Sequence, residues 1–376
     1  WQATGILPPE LISKAQFGIV MSGFISIAAG IIVKKFGVEK IEKFLPASIT
    51  GTVSMVIGLT LAGNALSDFI GVGNVVNGVS VIQGNPVATA WLIVGLITFI
   101  STCLYSIYLK GLLSQLPLLL GVLTGCAAAF AIYLVFDINL FRSVPVEALE
   151  ASSFKLGDGS VFALPAFTLP KFSWNALVGI MPIAIATIPE STAHMYQLDI
   201  YVNDLAREKN KKRYELIPLL GTNLIGDGLC DMISGVVGGP AGTNYGENIS
   251  TMAITRVFSV SVLGVASVIA MIVSCFTPLI KVIYGIPLAV IGGIEVYCFG
   301  AIAAQGIAIL IDKGVSMFDS KNIAVIALIC IVGLGGQYAF GGTIPFFNMS
   351  IPCVAGAAIA GIILNMFLRL DEKKEN

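Results

Sequence analysis

The chain is 376 residues long, 56% hydrophobic and only 11% charged, with 41 glycines and a formal net charge of −1. Soluble domains carry about a quarter charged residues, so this composition cannot supply a water-facing surface, which excludes a cytosolic enzyme and a secreted domain. The absence of a positive field excludes a nucleic-acid binder, and a mean hydropathy of +0.91 describes an all-α polytopic membrane protein.

A bilayer is crossed by about 20 consecutive apolar residues in a helix. Such stretches fall at 16–36, 46–66, 88–108 and 115–136. The longest polar stretch, 137–172, follows and reads as one structured external loop. Two more crossings come at 173–198 and 216–237, then an interrupted one at 239–256. There Gly238-Gly239-Pro240-Ala241-Gly242-Thr243-Asn244-Tyr245-Gly246 precedes a short helical run. The last four lie at 257–280, 286–311, 322–341 and 346–368.

Threading the chain through eleven alternating crossings puts 16 of its 21 Lys and Arg on one side, among them Lys34, Lys35, Lys209, Lys211, Lys212, Arg213 and Arg369. The other side holds five: Lys14, Arg142, Lys155, Lys171 and Lys281. Because basic residues collect on the cytoplasmic side, this predicts a protein of the cell membrane with a cytoplasmic C-terminus. The seven cysteines lie scattered in apolar runs with no C-x-x-C pair and read as small buried hydrophobes. With a single His, neither a metal site nor a cofactor is expected.

A constant offset of 241 residues pairs Phe17 with Phe258, Gly23 with Gly264, Pro46 with Pro287, Gly51 with Gly292 and Asn64 with Gln305. The paired segments cross in opposite orientations, as the inverted repeats of transporters do. The same offset sets Gly5 against Gly246. It predicts that the chain opens inside a third segment, with roughly seventy residues, two crossings and part of a third, lying before Trp1.

Ionisable groups at membrane depth are expensive and mark function. Glu190 and His194 are four apart on one predicted helix, beside Pro189, which loosens the backbone there. Asp227 and Asp231 form a second such pair, Glu247 opens the short helix after the glycine-rich break, and Glu295 sits in mid-segment with no partner that the sequence names. Glu247 also reads as a cap at a positive helix end, Asp227 and Asp231 as packing or gating groups, and His194 as a hydrogen-bonded structural residue. Backbone left extended around Asn244–Gly246 is tolerable at this depth only if it lines a cavity. Glu190 and Glu247 facing that cavity suit a planar neutral ligand with adjacent N–H and C=O groups. Anions are disfavoured because no Lys or Arg lies at that depth. His194 can exchange a proton with Glu190.

At these residues the sequence resembles the uracil/xanthine permease type of nucleobase:cation symporter. Asn244-Tyr245-Gly246-Glu247-Asn248-Ile249-Ser250-Thr251-Met252-Ala253-Ile254-Thr255-Arg256 resembles its uracil-permease signature, and Pro189-Glu190-Ser191-Thr192-Ala193-His194 is similar to its Glu-x-x-x-His element. Phe162-Ala163-Leu164-Pro165 and Phe44-Leu45-Pro46-Ala47-Ser48-Ile49-Thr50-Gly51 are similar to further family stretches. The resemblance implies two inverted seven-segment repeats divided into a core (1–43 and 173–283) and a gate (44–172 and 284–376). It also implies short midplane strands in the third and tenth segments that cradle the base. By resemblance Glu190, Tyr245, Gly246 and Glu247 belong to the base site, with the gate-side aromatic position at Phe299, where some uracil permeases carry Tyr. His194, with Glu190 and Asp227, belongs to proton coupling. Asp227 resembles the Ala-Asp-Gly element of the purine branch, whereas Tyr-Gly-Glu-Asn is of uracil type.

The expectation is therefore not an enzyme but a secondary active transporter, importing a nucleobase, uracil first, by proton symport as core moves against gate. A purine (xanthine or urate) substrate and Na⁺ coupling are the near alternatives; an anion transporter or channel on a similar scaffold is the distant one, opposed by Glu247. The partners expected are the base and the lipid bilayer. A homodimer is left open.

Overall fold

A computed structural model describes residues 8–37, 45–71, 75–76, 79–80, 85–111, 113, 116–143, 161–162, 167–181, 184–244, 246–346 and 349–370. The first helices are α1 (Pro9–Phe36), α2 (Ala47–Ile70), α3 (Pro86–Tyr108) and α4 (Pro117–Phe136). They are followed by α5 (Trp174–Ile180), α6 (Ala184–Glu208), α7 (Leu220–Val237) and α8 (Gly246–Thr255). The last are α9 (Val260–Ser274), α10 (Thr277–Gly285), α11 (Leu288–Asp312), α12 (Ser320–Phe340) and α13 (Cys353–Leu370). Two antiparallel pairs accompany them, β1 (Val75–Val76) with β2 (Val79–Ser80), and β3 (Thr343–Phe346) with β4 (Met349–Pro352). Six of the described helices, α1–α4, α11 and α12, are long and apolar enough to cross a membrane.

The helix ends follow from local chemistry. Proline opens α1, α3 and α4, where its missing N–H would have had no helical partner. The Asn85 carboxamide oxygen accepts from the N–H groups of Val87 and Ala88 at 3.0 and 3.2 Å, and Asp319 caps α12 through the Lys321 N–H at 3.1 Å. Gly238 ends α7 with φ +103°, a conformation that an L side chain resists.

Three expected crossings differ from continuous helices. The stretch 173–198 is divided between α5 and α6, with Pro182 between them in sequence. The stretch 257–280 stops at Ser274 and resumes as α10 at Thr277-Pro278, while Phe276 forms a bridge with Phe162. The stretch 346–368 begins as strand β4, which Pro352 ends immediately before α13. A hydropathy window registers the apolar run and not the proline within it. The interruption at 239–256 is present: residues 239–244 are neither helix nor strand, and α8 begins at Gly246. The first of the two expected midplane strands falls on residues 1–7, outside the described residues, and 239–244 form no strand ladder.

Contacts divide the chain into two compact units. One comprises the described parts of Leu61–Ala166 and Ser250–Ala301, the other those of Leu7–Thr60, Phe167–Ile249 and Ile302–Asn376. In the first, α3 lies on α4 through Thr98 against Gly125 and Thr102 against Gly121. Ala90, Val94, Ala129, Ala289 and Val290 form its buried cluster with Leu140. The described parts of the polar stretch are fastened to helix ends: Arg142 donates from Nε to the Ile286 carbonyl at 2.8 Å, and the Thr277 N–H donates to Val161 at 3.0 Å.

In the second unit α1 and α7 meet at glycines. A Cβ on Gly23 would lie 2.5 Å from the Gly228 carbonyl oxygen, and one on Gly30 would lie 2.6 Å from that of Gly221. Ile188 and Met195 of α6 complete the cluster with Ala29, Val33, Leu220 and Leu224. A separate cluster joins Ile49, Val53 and Val56 of α2 to Val325 and Ile329 of α12 and Ala357 and Ala358 of α13. Pro352 of β4 approaches Gly179 of α5. Helices α2 and α11 begin 241 residues apart, at Ala47 and Leu288. Gly51 packs against Leu310 in this unit and Gly292 against Phe69 in the first, two contacts that exchange places under that same offset.

Candidate functional site

The candidate site is built on α6, α7, the non-helical 238–244 and the start of α8. Along α6, Ile188, Ser191 and Met195 form the buried stripe, spaced so that they share one helix face. Glu190 lies in the same unbroken helix, which continues through Pro189, and His194 follows one turn later, half-buried. The predicted i, i+4 relation of Glu190 and His194 therefore holds in the backbone.

Ser191, fully buried, donates from Oγ to Oδ2 of Asp227 at 3.2 Å. This bond ties the carboxylate of α7 to the residue adjoining Glu190. Ser191 was not singled out from sequence; its signal was the hydroxyl beside an intramembrane carboxylate. Among the described residues, His194 Nδ1, Asn223 Nδ2 and Thr243 Oγ1 are buried without a hydrogen-bond partner. Buried polar atoms are ordinarily paired at a gain of about 1 kcal/mol and cost more when left unpaired, so three of them on α6, on α7 and in the break mark a polar interior there.

Asp231, one turn beyond Asp227 and buried, accepts the Gly242 N–H on Oδ1 at 2.7 Å. Ser234 Oγ donates to the Pro240 carbonyl at 2.7 Å, and the Gly239 N–H donates to that of Ser234 at 2.8 Å. The broken segment is thus held against the end of α7 by side-chain bonds, which the missing helical ladder requires. The alternative left open for Asp231, a packing role, is the one this geometry supports.

Gly246 opens α8 and Glu247 is its second residue, the end at which a helix dipole favours a carboxylate. Tyr245 falls outside the described residues, and the backbone is what places Glu190, Gly246 and Glu247. Phe299 is half-buried on α11 and belongs to the other unit. In that unit Glu295 Oε2 is buried without a partner among the described residues, and the hydroxyls of Tyr297 and Ser106 are 2.5 Å apart. The structure thus brings Glu190, His194, Asp227 and the break before Glu247 onto neighbouring elements of one unit and leaves Phe299 to the other.

A model of the xanthine/uracil type, described as "Permease family", matches residues 2–342. A uracil permease of Escherichia coli (strain K12) is 31% identical over 366 residues, covering 97% of this chain and 76% of that protein. A uracil permease of Bacillus caldolyticus is 33% identical over 356 residues, covering 94% and 74% respectively. Among solved structures, the transmembrane domain of a cyanobacterium bicarbonate transporter, BicA, matches with a TM-score of 0.50 at 18% identity, over 94% of this chain and 77% of that one.

Proposed function

Since the chain belongs to the xanthine/uracil permease family, we propose that it imports a nucleobase, uracil foremost, by proton symport, and is a transporter rather than an enzyme. Family and relatives support the nucleobase, and the likeness to the bicarbonate transporter speaks for the fold alone, because one fold carries many cargoes. The observation that carries the reading is the non-helical break before α8, pinned by Asp231 to Gly242, with Glu247 the second residue of the helix that follows it. Glu190 and Glu247 accept the ring N–H groups, and the Gly246 N–H faces a carbonyl.

A proton taken from outside by the Glu190/His194 pair favours the base-loaded state, and its release inside weakens binding, so uptake follows the proton gradient. Alternating access comes from movement of a core, 1–43 and 173–283, against a gate, 44–172 and 284–376. Helix pairing supports this division: α1 packs with α6 and α7, and α2 with α12 and α13. The contact-defined units instead cut through α2, α8 and α11.

The test is thermal stabilisation of the purified protein by a panel of bases at two pH values. A ligand at about a hundred times its dissociation constant stabilises the native state by about 2.7 kcal/mol. Uracil is expected to raise Tm most, and by more at the lower pH. A larger shift with xanthine or urate would move the assignment to the purine branch that Asp227 resembles, and an effect that requires Na⁺ would replace the proton. In transport assays, uptake should rise as external pH falls; pH-independent uptake would sink the coupling model. Glu247→Gln should abolish base binding, and full affinity in that variant would restore Glu247 to a capping role.

A further inference from the structure

The end of α6 and the segment joining it to α7 carry five basic residues and one acidic residue from Arg207 through Arg213, and nothing in the transport scheme uses them. A solvated basic loop is ordinarily mobile, because long cationic side chains repel one another. This one is folded back and fastened. The Tyr214 N–H donates to Asn203 Oδ1 at 2.8 Å, and Asn203 Nδ2 returns a bond to the Tyr214 carbonyl at 3.0 Å. The Leu216 N–H donates to Asp199 Oδ1 at 3.3 Å, and the Lys211 N–H donates to the Ala206 carbonyl at 2.8 Å. Asn210 turns the chain with φ +50°.

Between this loop and the last two turns of α6 lies an open surface cavity of about 620 Å³, lined by Ile200, Asn203, Asp204, Arg207, Lys211 and Arg213 among others. Arg207 is paired with Asp204 at 2.5 Å and Arg213 with Asp199 at 3.6 Å, while Lys211 has no ion-pair partner among the described residues. Two guanidiniums, each beside a carboxylate, one ammonium without an ion-pair partner among the described residues and a carboxamide, on a backbone held by the bonds above, offer donors to the oxygens of a phosphodiester. One wall is apolar: Ile200 is 64% exposed, and Tyr201 and Tyr214 stand nearby on α6 and the loop. Tyrosines of this kind lie at the membrane–water boundary, and the charge count puts this boundary on the cytoplasmic side.

We propose that this cavity binds the headgroup of an anionic phospholipid, its phosphodiester between Lys211 and the two arginines and the start of an acyl chain along Ile200. The apolar wall and the boundary position favour a lipid over a free phosphate. A basic cluster draws anionic lipid by its general field as well, at about 1 kcal/mol per Lys near the surface. The proposal differs from that field in requiring Lys211 and not its neighbour Lys212, which does not line the cavity.

The test is lipid retention by the full-length protein in nanodiscs of phosphatidylcholine with and without phosphatidylglycerol, counted by native mass spectrometry beside Tm. Phosphatidylglycerol should be retained and should raise Tm. Either variant should lose the roughly five-fold that the general field supplies per Lys; Lys211→Gln should weaken retention well beyond that, and Lys212→Gln by no more than that. Equal losses in both variants, or none in either, would overturn the site and leave only the diffuse field. A third arm adds millimolar inorganic phosphate to phosphatidylcholine-only discs: no Tm shift is expected, and a shift equal to that of phosphatidylglycerol would reassign the cavity to free phosphate. Both lysines are on the exposed loop, so the fold survives either change.

Discussion

Gln16 uses its whole carboxamide inside the fold. It is 1% exposed, donates from Nε2 to the carbonyls of Thr168 at 2.7 Å and Gly235 at 2.8 Å, and accepts the Thr168 hydroxyl on Oε1 at 2.7 Å. Gln16→Leu leaves two carbonyls and a hydroxyl without these partners, so it should lower stability by about 2–4 kcal/mol, read as a fall in Tm in detergent. An unchanged Tm would mean that water replaces the amide. Ser191→Ala removes one bond to the Asp227 carboxylate and should cost about 1–3 kcal/mol. Neither role was legible in sequence, because a Gln near a helix start and a Ser in mid-helix are common and their partners lie far along the chain. Glu190, His194 and Glu247 were legible for the opposite reason: a charge in an apolar run is rare enough to stand out alone.

At the scale of elements, glycine placement decides how closely helices approach. Gly23 and Gly30 of α1 are seven apart and so are Gly221 and Gly228 of α7, a spacing that puts each pair on one helix face and lets the backbones touch. The signal was in the sequence, but it names a partner only once both helices are known. Gly228→Ala would push a methyl to within 2.4 Å of the Gly23 carbonyl oxygen, a backbone atom that cannot swing aside. It should cost about 1–3 kcal/mol in overpacking. Gly226→Ala, in the same helix with nothing within 4 Å, should be neutral or stabilising by up to about 1 kcal/mol through helix propensity. A matched pair of melting curves checks this; equal losses would show that α7 resists any added methyl, wherever it points. The crossings interrupted before Pro278 and at Pro352 were less legible, since hydropathy reads solvent preference and not hydrogen-bond continuity.

At the scale of the whole molecule, side-chain chemistry fixes orientation before any contact does. Each Lys or Arg carried to the middle of a bilayer costs about 2.5–3.5 kcal/mol on insertion scales, so the division expected from sequence, sixteen on one side against five on the other, would bias insertion strongly. At about 1.5 Å per residue, the 28 residues of α1 make a helix of roughly 42 Å, longer than the hydrocarbon core, so α1 tilts or extends into the headgroups. Lys34 and Lys35 stand in its last turn, where long basic side chains can reach the membrane–water boundary. The orientation predicts that residues 171 and 210, both exposed, face opposite compartments. In a variant freed of its native cysteines, Lys171→Cys should react with a membrane-impermeant maleimide in intact cells and Asn210→Cys only in inside-out vesicles. The reverse pattern would invert the molecule and put the basic loop outside. It would also require the proton that drives uptake to enter from the face now assigned to its release, so labelling and pH-dependent uptake must agree for either assignment to stand.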